Sequence, residues 1–124
     1  VSNHATIENG YFGFGIPYSL NEEGRQILQR AMKQSQKCSF RLKGSAALDL
    51  CYVAAGVTDA FFHPGLSPWD VAAGAFIVAR AGGKCTDFSG GDNYVFGREM
   101  VASNRIIHDE IMKTIIADDE HTNG

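Results

Sequence analysis

The sequence has 124 residues, 44% of them hydrophobic, and this size and composition predict one globular domain with a buried core. Its 11 lysine and arginine residues against 14 aspartate and glutamate residues give a net charge of −3, without the basic patch that nucleic-acid binding needs. No apolar run approaches the roughly 20 residues of a membrane-spanning helix. We therefore expect neither nucleic acid nor a membrane as a partner.

The number and spacing of the cysteines indicate the redox environment in which the protein works. Cys38, Cys51 and Cys85 are odd in number and widely spaced, and no C-x-x-C pair occurs. This argues against a disulfide framework or a zinc site and favours a reducing environment, so we predict a cytoplasmic protein. The chain starts at Val1 rather than at methionine and shows no signal peptide, which favours a cleavage product or a fragment of a longer protein.

Strands and helices alternate along the first half of the chain. An aromatic run over 11–16 predicts a strand. Asn21, a good N-cap, precedes two acidic residues, and apolar residues at helical spacing predict a helix over 21–35. Residues 38–42 alternate as a strand does. The run 45–56 predicts a second helix, and because it is apolar nearly all round, we expect it to be buried on every side.

The same alternation continues in the second half. Residues 58–62 predict a strand, and Ser67 and Pro68 mark the start of a helix that runs to Ala81 and ends at two glycines. Two further strands, 84–88 and 99–103, flank a turn over 89–93. The last helix is expected from Asn104, with an isoleucine stripe facing inward and a polar tail after it. The stripe consists of Ile107, Ile111 and Ile115.

This order predicts an α/β fold, with a mixed, largely parallel five-stranded sheet and helices on both faces, as a three-layer sandwich. In such sheets ligands bind beyond the carboxyl ends of the strands, where the following helices start. Two helix starts therefore carry the candidate site residues. Outside them, Trp69 is expected to anchor packing, and Cys51 to lie in the core. Three histidines, His4, His108 and His121, are expected at the surface.

Asp70 lies in the first turn of the helix that begins after Ser67. The helix dipole stabilises a carboxylate there by about 0.3–1 kcal/mol, so it stays ionised at neutral pH. An ionised carboxylate is a ligand that Mg²⁺ takes together with water and substrate phosphate. A capping-box acid without any ligand satisfies the same Ser67-x-x-Asp70 spacing, and the spacing alone favours it.

The other helix start is Gly44, Ser45 and Ala46. Main-chain N–H groups at such a start bind phosphate or hydroxyl oxygens, and a glycine lets a ligand approach the main chain. An ordinary turn capped by Ser45 explains the same residues more simply. Asp49, inside the apolar helix, needs a partner. No nucleophile–base pair is evident, so we assign no catalytic residue.

Four runs together closely resemble the C-terminal half of the inositol monophosphatases: GSAALDLC at 44–51, DAFF at 59–62, WDVAAG at 69–74 with AGG at 81–83, and VASN at 101–104. The resemblance implies Mg²⁺-dependent hydrolysis of a phosphate monoester between two halves of one chain, and commonly a homodimer. It makes Asp70 a metal ligand. It also implies that Gly44, Ser45 and Ala46 line the polyol side of the substrate, Ala46 through its main chain.

The family's other metal ligands, a glutamate and the acids of an Asp-Pro-x-Asp-Gly-Thr/Ser motif, belong to the N-terminal half and have no counterpart in this sequence. We therefore expect the 124-residue chain to be inactive by itself. His63 stands where the family usually has an acid that contacts substrate hydroxyls. An imidazole still forms hydrogen bonds there but accepts more weakly. Inositol phosphate and other sugar or polyol phosphates stay open as substrates, and a non-catalytic binding or assembly module is the alternative.

Overall fold

The computed structural model describes residues 1–15, 21–42, 44–97 and 99–116, without the side chain of Asp70. In this part of the chain, strands and helices alternate as the sequence predicts. The strands are β1 (Tyr11–Phe14), β2 (Ser39–Arg41), β3 (Ala60–His63), β4 (Lys84–Thr86) and β5 (Met100–Ser103). The helices are α1 (Glu22–Lys33), α2 (Ala46–Ala55), α3 (Pro68–Arg80), α4 (Tyr94–Gly97) and α5 (His108–Ile111). A 3₁₀ turn (Gln34–Gln36) follows α1, and a π-helical segment (Met112–Ile116) continues α5.

The strands form one mixed sheet in the order β2-β1-β3-β5-β4. Strands β2, β1 and β3 are parallel, with Gly13 opposite both Arg41 and Phe61. Strand β5 runs antiparallel to both of its neighbours. Four of the five strands therefore point the same way, which confirms the predicted mixed, largely parallel sheet.

Two apolar clusters lie on opposite faces of the sheet and give the predicted three layers. One cluster joins α1 and the C-terminal helical segment to the sheet and contains the inward isoleucine stripe, as predicted. The other joins α2 and α3 to the sheet through residues such as Leu50, Val71 and Phe61. Successive strand residues point to opposite faces, so Phe61 packs under α2 and α3 while Phe62 packs under α1.

Helices α2 and α3 cross closely because of a glycine. A Cβ added to Gly74 would lie 2.3 Å from Leu50 Cδ1, so only glycine fits where α3 meets α2. Their outer faces carry large apolar side chains, with Trp69 86% and Phe76 67% exposed. Leu48 and Cys51 are exposed on α2. The predictions that α2 is buried on every side, that Trp69 anchors packing and that Cys51 lies in the core are therefore wrong for this chain.

The last helix starts later than predicted. It begins at His108 rather than at Asn104 because Arg105 adopts a left-handed conformation, with φ of 78°, which a helix does not accommodate. Asn104 instead donates to the carbonyl oxygen of His4 and accepts from the Ile107 N–H. The short helix α4 after the predicted turn was not expected. The predicted polar tail lies outside the described residues. Within the described part of the chain, no helix has the length and apolar character needed to cross a bilayer.

Candidate functional site

The carboxyl ends of β1 to β4 lie along one edge of the sheet, since only β5 runs the other way. This edge carries Gly15 after β1, Gly44 and Ser45 directly before α2 (called the turn below), and His63 at the end of β3. Helices α2 and α3 both start there. The turn and His63 are separated by β1, and at about 4.8 Å per strand spacing they lie roughly 10 Å apart along the edge. The two predicted groups of substrate residues thus share one edge of the sheet.

The turn before α2 presents its main chain to the outside. Gly44 has φ of 78°, and a Cβ placed on it would meet no atom within 4 Å. Ser45 is the N-cap of α2, as predicted, but its hydroxyl accepts from the Leu48 N–H at a long 3.4 Å. The Ser45 carbonyl accepts from the Asp49 N–H at 2.9 Å. The turn is therefore open to a ligand and is held only weakly by its own cap.

The imidazole of His63 has a defined position at the end of β3. Its Nδ1 accepts a hydrogen bond from the Gly65 N–H at 2.9 Å. In a neutral ring this places the proton on Nε2. The ring also lies over Gly15, where an added Cβ would be 1.8 Å from His63 Cδ2. A side chain larger than hydrogen at position 15 would displace His63 from this position.

Asp70 is the third residue of α3, which begins five positions after His63. Its main chain therefore lies just beyond the carboxyl end of β3, at the same edge of the sheet as the turn and His63. Its side chain is not described, and its role as a metal ligand stays a prediction. Among the residues whose side chains are described, no group of three or more His, Cys, Asp and Glu residues could hold a metal ion. A single carboxylate fits Mg²⁺ when further oxygen ligands come from water, phosphate or another part of a protein.

A pair of carboxyl groups at the same edge was not predicted. Glu99 directly precedes β5, whose first residue pairs with His63, and it hydrogen-bonds Glu23 in the first turn of α1. Burial, this hydrogen bond and the negative charges of Glu23 and Asp87 raise the pKa of Glu99 to about 7. No local sequence signal brings these residues together, since they come from elements far apart in the chain.

Asp49 has a partner, as the sequence led us to expect. It is Arg41, at the end of β2, with Nε 3.9 Å from Asp49 Oδ1. The side chains are 10% and 2% exposed respectively. Arg41 is the nearest arginine before Asp49 in the sequence. A carboxylate in an apolar helix that follows a strand with a basic end could have predicted this pair.

His108 is buried rather than at the surface, so that prediction was wrong. Its Nδ1 lies 2.7 Å from the Ser103 hydroxyl and its Nε2 lies 2.8 Å from the Thr86 hydroxyl. Burial, and then the charge of Lys84, lower its pKa to about 4. His108 lies three residues before Ile111 and seven before Ile115 of the predicted inward stripe, and this helical spacing could have placed it on the same face. Because Ser103 is fully buried, this hydroxyl–imidazole pair offers no accessible nucleophile.

Comparison with known proteins identifies the family. Residues 1–120 match the inositol monophosphatase family. The chain belongs to that family. It is 51% identical over 118 residues to the Nus factor SuhB of Pasteurella multocida, covering 93% of this chain and 43% of that protein. It is 42% identical over 117 residues to a fructose-1,6-bisphosphatase/inositol-1-monophosphatase of Thermotoga maritima, with the same coverage of 93% and 43%.

The fold is likewise that of this family's solved structures. The crystal structure of the extragenic suppressor protein suhB from Bartonella henselae superposes with a TM-score of 0.84 at 32% identity, covering 94% of this chain and 45% of that one. The recognition of the family and of its fold from the sequence is therefore confirmed. The chain spans less than half the length of these relatives.

Proposed function

We propose that this chain is the C-terminal, substrate-side half of a Mg²⁺-dependent phosphate monoester hydrolase that acts on an inositol phosphate or a related sugar or polyol phosphate. The observation that carries the proposal is the shared edge of the sheet. It holds the open main chain of Gly44 and Ser45, the oriented ring of His63 and the start of α3 with Asp70. The Thermotoga relative named as a phosphatase supports the same reaction class.

In this proposal each part of the edge has a separate task. The exposed N–H groups of Gly44, Ser45 and Ala46 bind oxygens of the substrate alcohol, as helix starts bind oxyanions and hydroxyls. His63, with its proton on Nε2, donates to an oxygen of the same alcohol. Asp70 contributes one carboxylate to Mg²⁺, which supplies Lewis-acid activation of the phosphate. No residue of this chain is assigned as nucleophile or base.

The proposal includes a second half of the protein. The remaining ligands of the site would come from an N-terminal half, so residues 1–124 form one α/β domain of a larger enzyme. The outer faces of α2 and α3 support this arrangement, because exposed aromatic side chains such as Trp69 and Phe76 are normally covered by further protein. A homodimer and a cytoplasmic location also remain part of the proposal.

A substitution in the full-length protein tests the reaction. Asp70→Asn should abolish Mg²⁺-dependent release of phosphate from inositol monophosphate and change the melting temperature by less than about 2 °C. The same substitution at the exposed Asp92, Asp92→Asn, should leave turnover intact. Near wild-type turnover in Asp70→Asn would exclude the metal role. The 124-residue chain alone should release no phosphate, and robust hydrolysis by it would contradict the division into two halves.

A non-catalytic binding or assembly module is the second candidate, and one observation favours it. Several relatives, including the one from Pasteurella multocida, are named as Nus factors rather than as phosphatases. Under this alternative the fold is retained without turnover. Absence of Mg²⁺-dependent hydrolysis in the full-length wild-type protein, across inositol, sugar and nucleoside phosphates, would favour the module over the enzyme.

A further inference from the structure

The turn formed by Gly44 and Ser45 makes few contacts of its own that would hold it in place. Leu42, Gly44 and Ser45 are exposed, Gly44 brings no side chain, and the cap bond from Ser45 to the Leu48 N–H is long. Strand β2, which leads into the turn, has three residues and lies at the edge of the sheet. Something beyond the turn must therefore fix where its main chain lies.

Arg41 provides that connection from the strand side. It is the last residue of β2, and its guanidinium lies 4.4 Å from the ring centre of Tyr52 on α2 and 5.8 Å from that of Tyr11 on β1. At these distances a cation is attracted to the face of an aromatic ring. Arg41 thus joins the end of β2 to the neighbouring strand and to the middle of α2.

Asp49 provides the connection from the helix side. It lies one turn after Ser45, its N–H donates to the Ser45 carbonyl, and its carboxylate faces Arg41 Nε across 3.9 Å. An added Cβ on Gly13 would lie 3.6 Å from this carboxylate, so the pair sits directly over the centre of the parallel strands. Arg41, before the turn, and Asp49, after it, therefore lie next to each other.

The geometry of the pair is poor for stability alone. Arg41 Nε and Nη2 find no hydrogen-bond partner among the described residues. Buried ion pairs with incomplete hydrogen bonding contribute less to stability than apolar residues of similar size, although removing one partner is costly. A role in fixing position explains why a charged pair is used where an apolar pair would pack.

We propose that Arg41 and Asp49 are positioning residues that hold the main chain of Gly44, Ser45 and Ala46 in the conformation that receives the alcohol part of the substrate. This inference rests on the proposed function for its catalytic consequence, but its structural part can be tested separately. Neither residue touches substrate in this proposal. Both act through the turn.

The first experiment measures ¹⁵N order parameters of the 124-residue chain. In Arg41→Met, the order parameters of Gly44, Ser45 and Ala46 should fall from about 0.85 to below about 0.6, while those of β3 stay unchanged. Arg41→Lys, which keeps the charge but not the planar guanidinium, should fall between the two. Arg25→Met makes the same change at an exposed position of α1 and should have no effect. Unchanged order parameters at the turn in Arg41→Met would overturn the inference.

The charge-free double variant, Arg41→Met with Asp49→Leu, replaces Arg41→Met if the single variant fails to fold. It leaves no buried charge unpaired, so it should fold with a mobile turn. A rigid turn in the folded double variant would also overturn the inference.

The second experiment measures kinetics of the full-length protein. Arg41→Met and Asp49→Asn should raise KM for inositol monophosphate by about tenfold or more and change kcat by less than about threefold, because the turn binds ground state and transition state alike. A fall in kcat with unchanged KM would contradict the positioning role. If the full-length wild type hydrolyses no phosphate ester, the proposed function fails, and the order parameters still decide whether the pair fixes the turn.

Discussion

The Ser103 hydroxyl lies 2.7 Å from Nδ1 of His108 inside the core, and the pair fixes the protonation of the ring. Thr86 Oγ1 donates to Met112 Sδ, which leaves it to accept from the ring, and Ser103 Oγ, which accepts from the Arg105 N–H, then donates to Nδ1. The opposite nitrogen, Nε2, then donates to Thr86. Burial and the charge of Lys84 hold the ring neutral in the folded protein, and this has a consequence for stability in acid.

The unfolding free energy should fall as the pH falls from 6.5 to about 4. The unfolded ring takes up a proton below 6.5, whereas the folded ring has a pKa of about 4 because of burial and the nearby charge of Lys84, which Asp109 only partly offsets. The loss at pH 4 is about 3 kcal/mol from this group. Urea unfolding at several pH values measures it. His108→Gln should remove this part of the pH dependence, and His4→Gln should keep it. Parallel pH profiles for His108→Gln and wild type would contradict the prediction.

Glu99 should give a pH dependence of the opposite sign. Its pKa rises from 4.5 to about 7 on folding, so its contribution to stability is present below 4.5 and is lost as the pH rises through 7. Glu99→Gln keeps a donor for Glu23 and does not ionise. We expect it to stabilise the protein more at pH 8 than at pH 5, measured by the same urea titration. Glu110→Gln, at an exposed position of α5, serves as the control. A stability difference that does not change with pH would refute this origin.

The contact between Gly74 and Leu50 should make the crossing of α2 and α3 intolerant of a methyl group. Gly74→Ala should lower the unfolding free energy by about 1–3 kcal/mol through overpacking, although alanine favours a helix by about 1 kcal/mol. In a Leu50→Ala background the contacts with Cδ1 and Cγ are gone and only Cβ, 2.8 Å from the added methyl group, remains, so Gly74→Ala should destabilise less than in the wild type. A double-mutant cycle measures this coupling. Additive effects would show that the crossing is not set by this contact.

The apolar outer face of α2 and α3 should cause the 124-residue chain to self-associate at high concentration. Phe76→Gln combined with Ile77→Gln should shift size-exclusion chromatography towards the monomer, because these side chains are exposed on α3. Met32→Gln removes an exposed apolar side chain from α1, on the other side of the sheet, and should leave the elution unchanged. A clean monomer for the wild-type chain at high concentration would count against this face as an interaction surface.

Residues at the start of a helix were sufficient to predict where α1 and α3 begin. Asn21 accepts from the Gly24 N–H as an N-cap, and α1 begins at the next residue, as the sequence predicts. Pro68 opens α3, as predicted, because its fixed φ and missing N–H suit the first helical position. The start of the last helix was missed because Asn104 is held by Ser2 and His4, about a hundred residues earlier in the chain. No window of sequence around Asn104 contains that information.

The candidate site was predictable to a similar extent. The fold class alone places the turn at Gly44, His63 and the start of α3 at one edge of a parallel sheet. The pairing of Glu23 with Glu99 depends on how α1 and β5 approach each other in space, and nothing in either segment indicates it. Asp49 was recognised as needing a partner, but only the structure identifies it as Arg41.

Both outermost strands of the sheet, β2 and β4, are three residues long. Such short rims leave few unpaired main-chain groups for a foreign strand to join, which protects the protein against edge-to-edge aggregation. Association of further chains by adding strands to this sheet is therefore disfavoured. Stable association with this domain is therefore expected through side chains of its helical layers and loops rather than through a main-chain ladder.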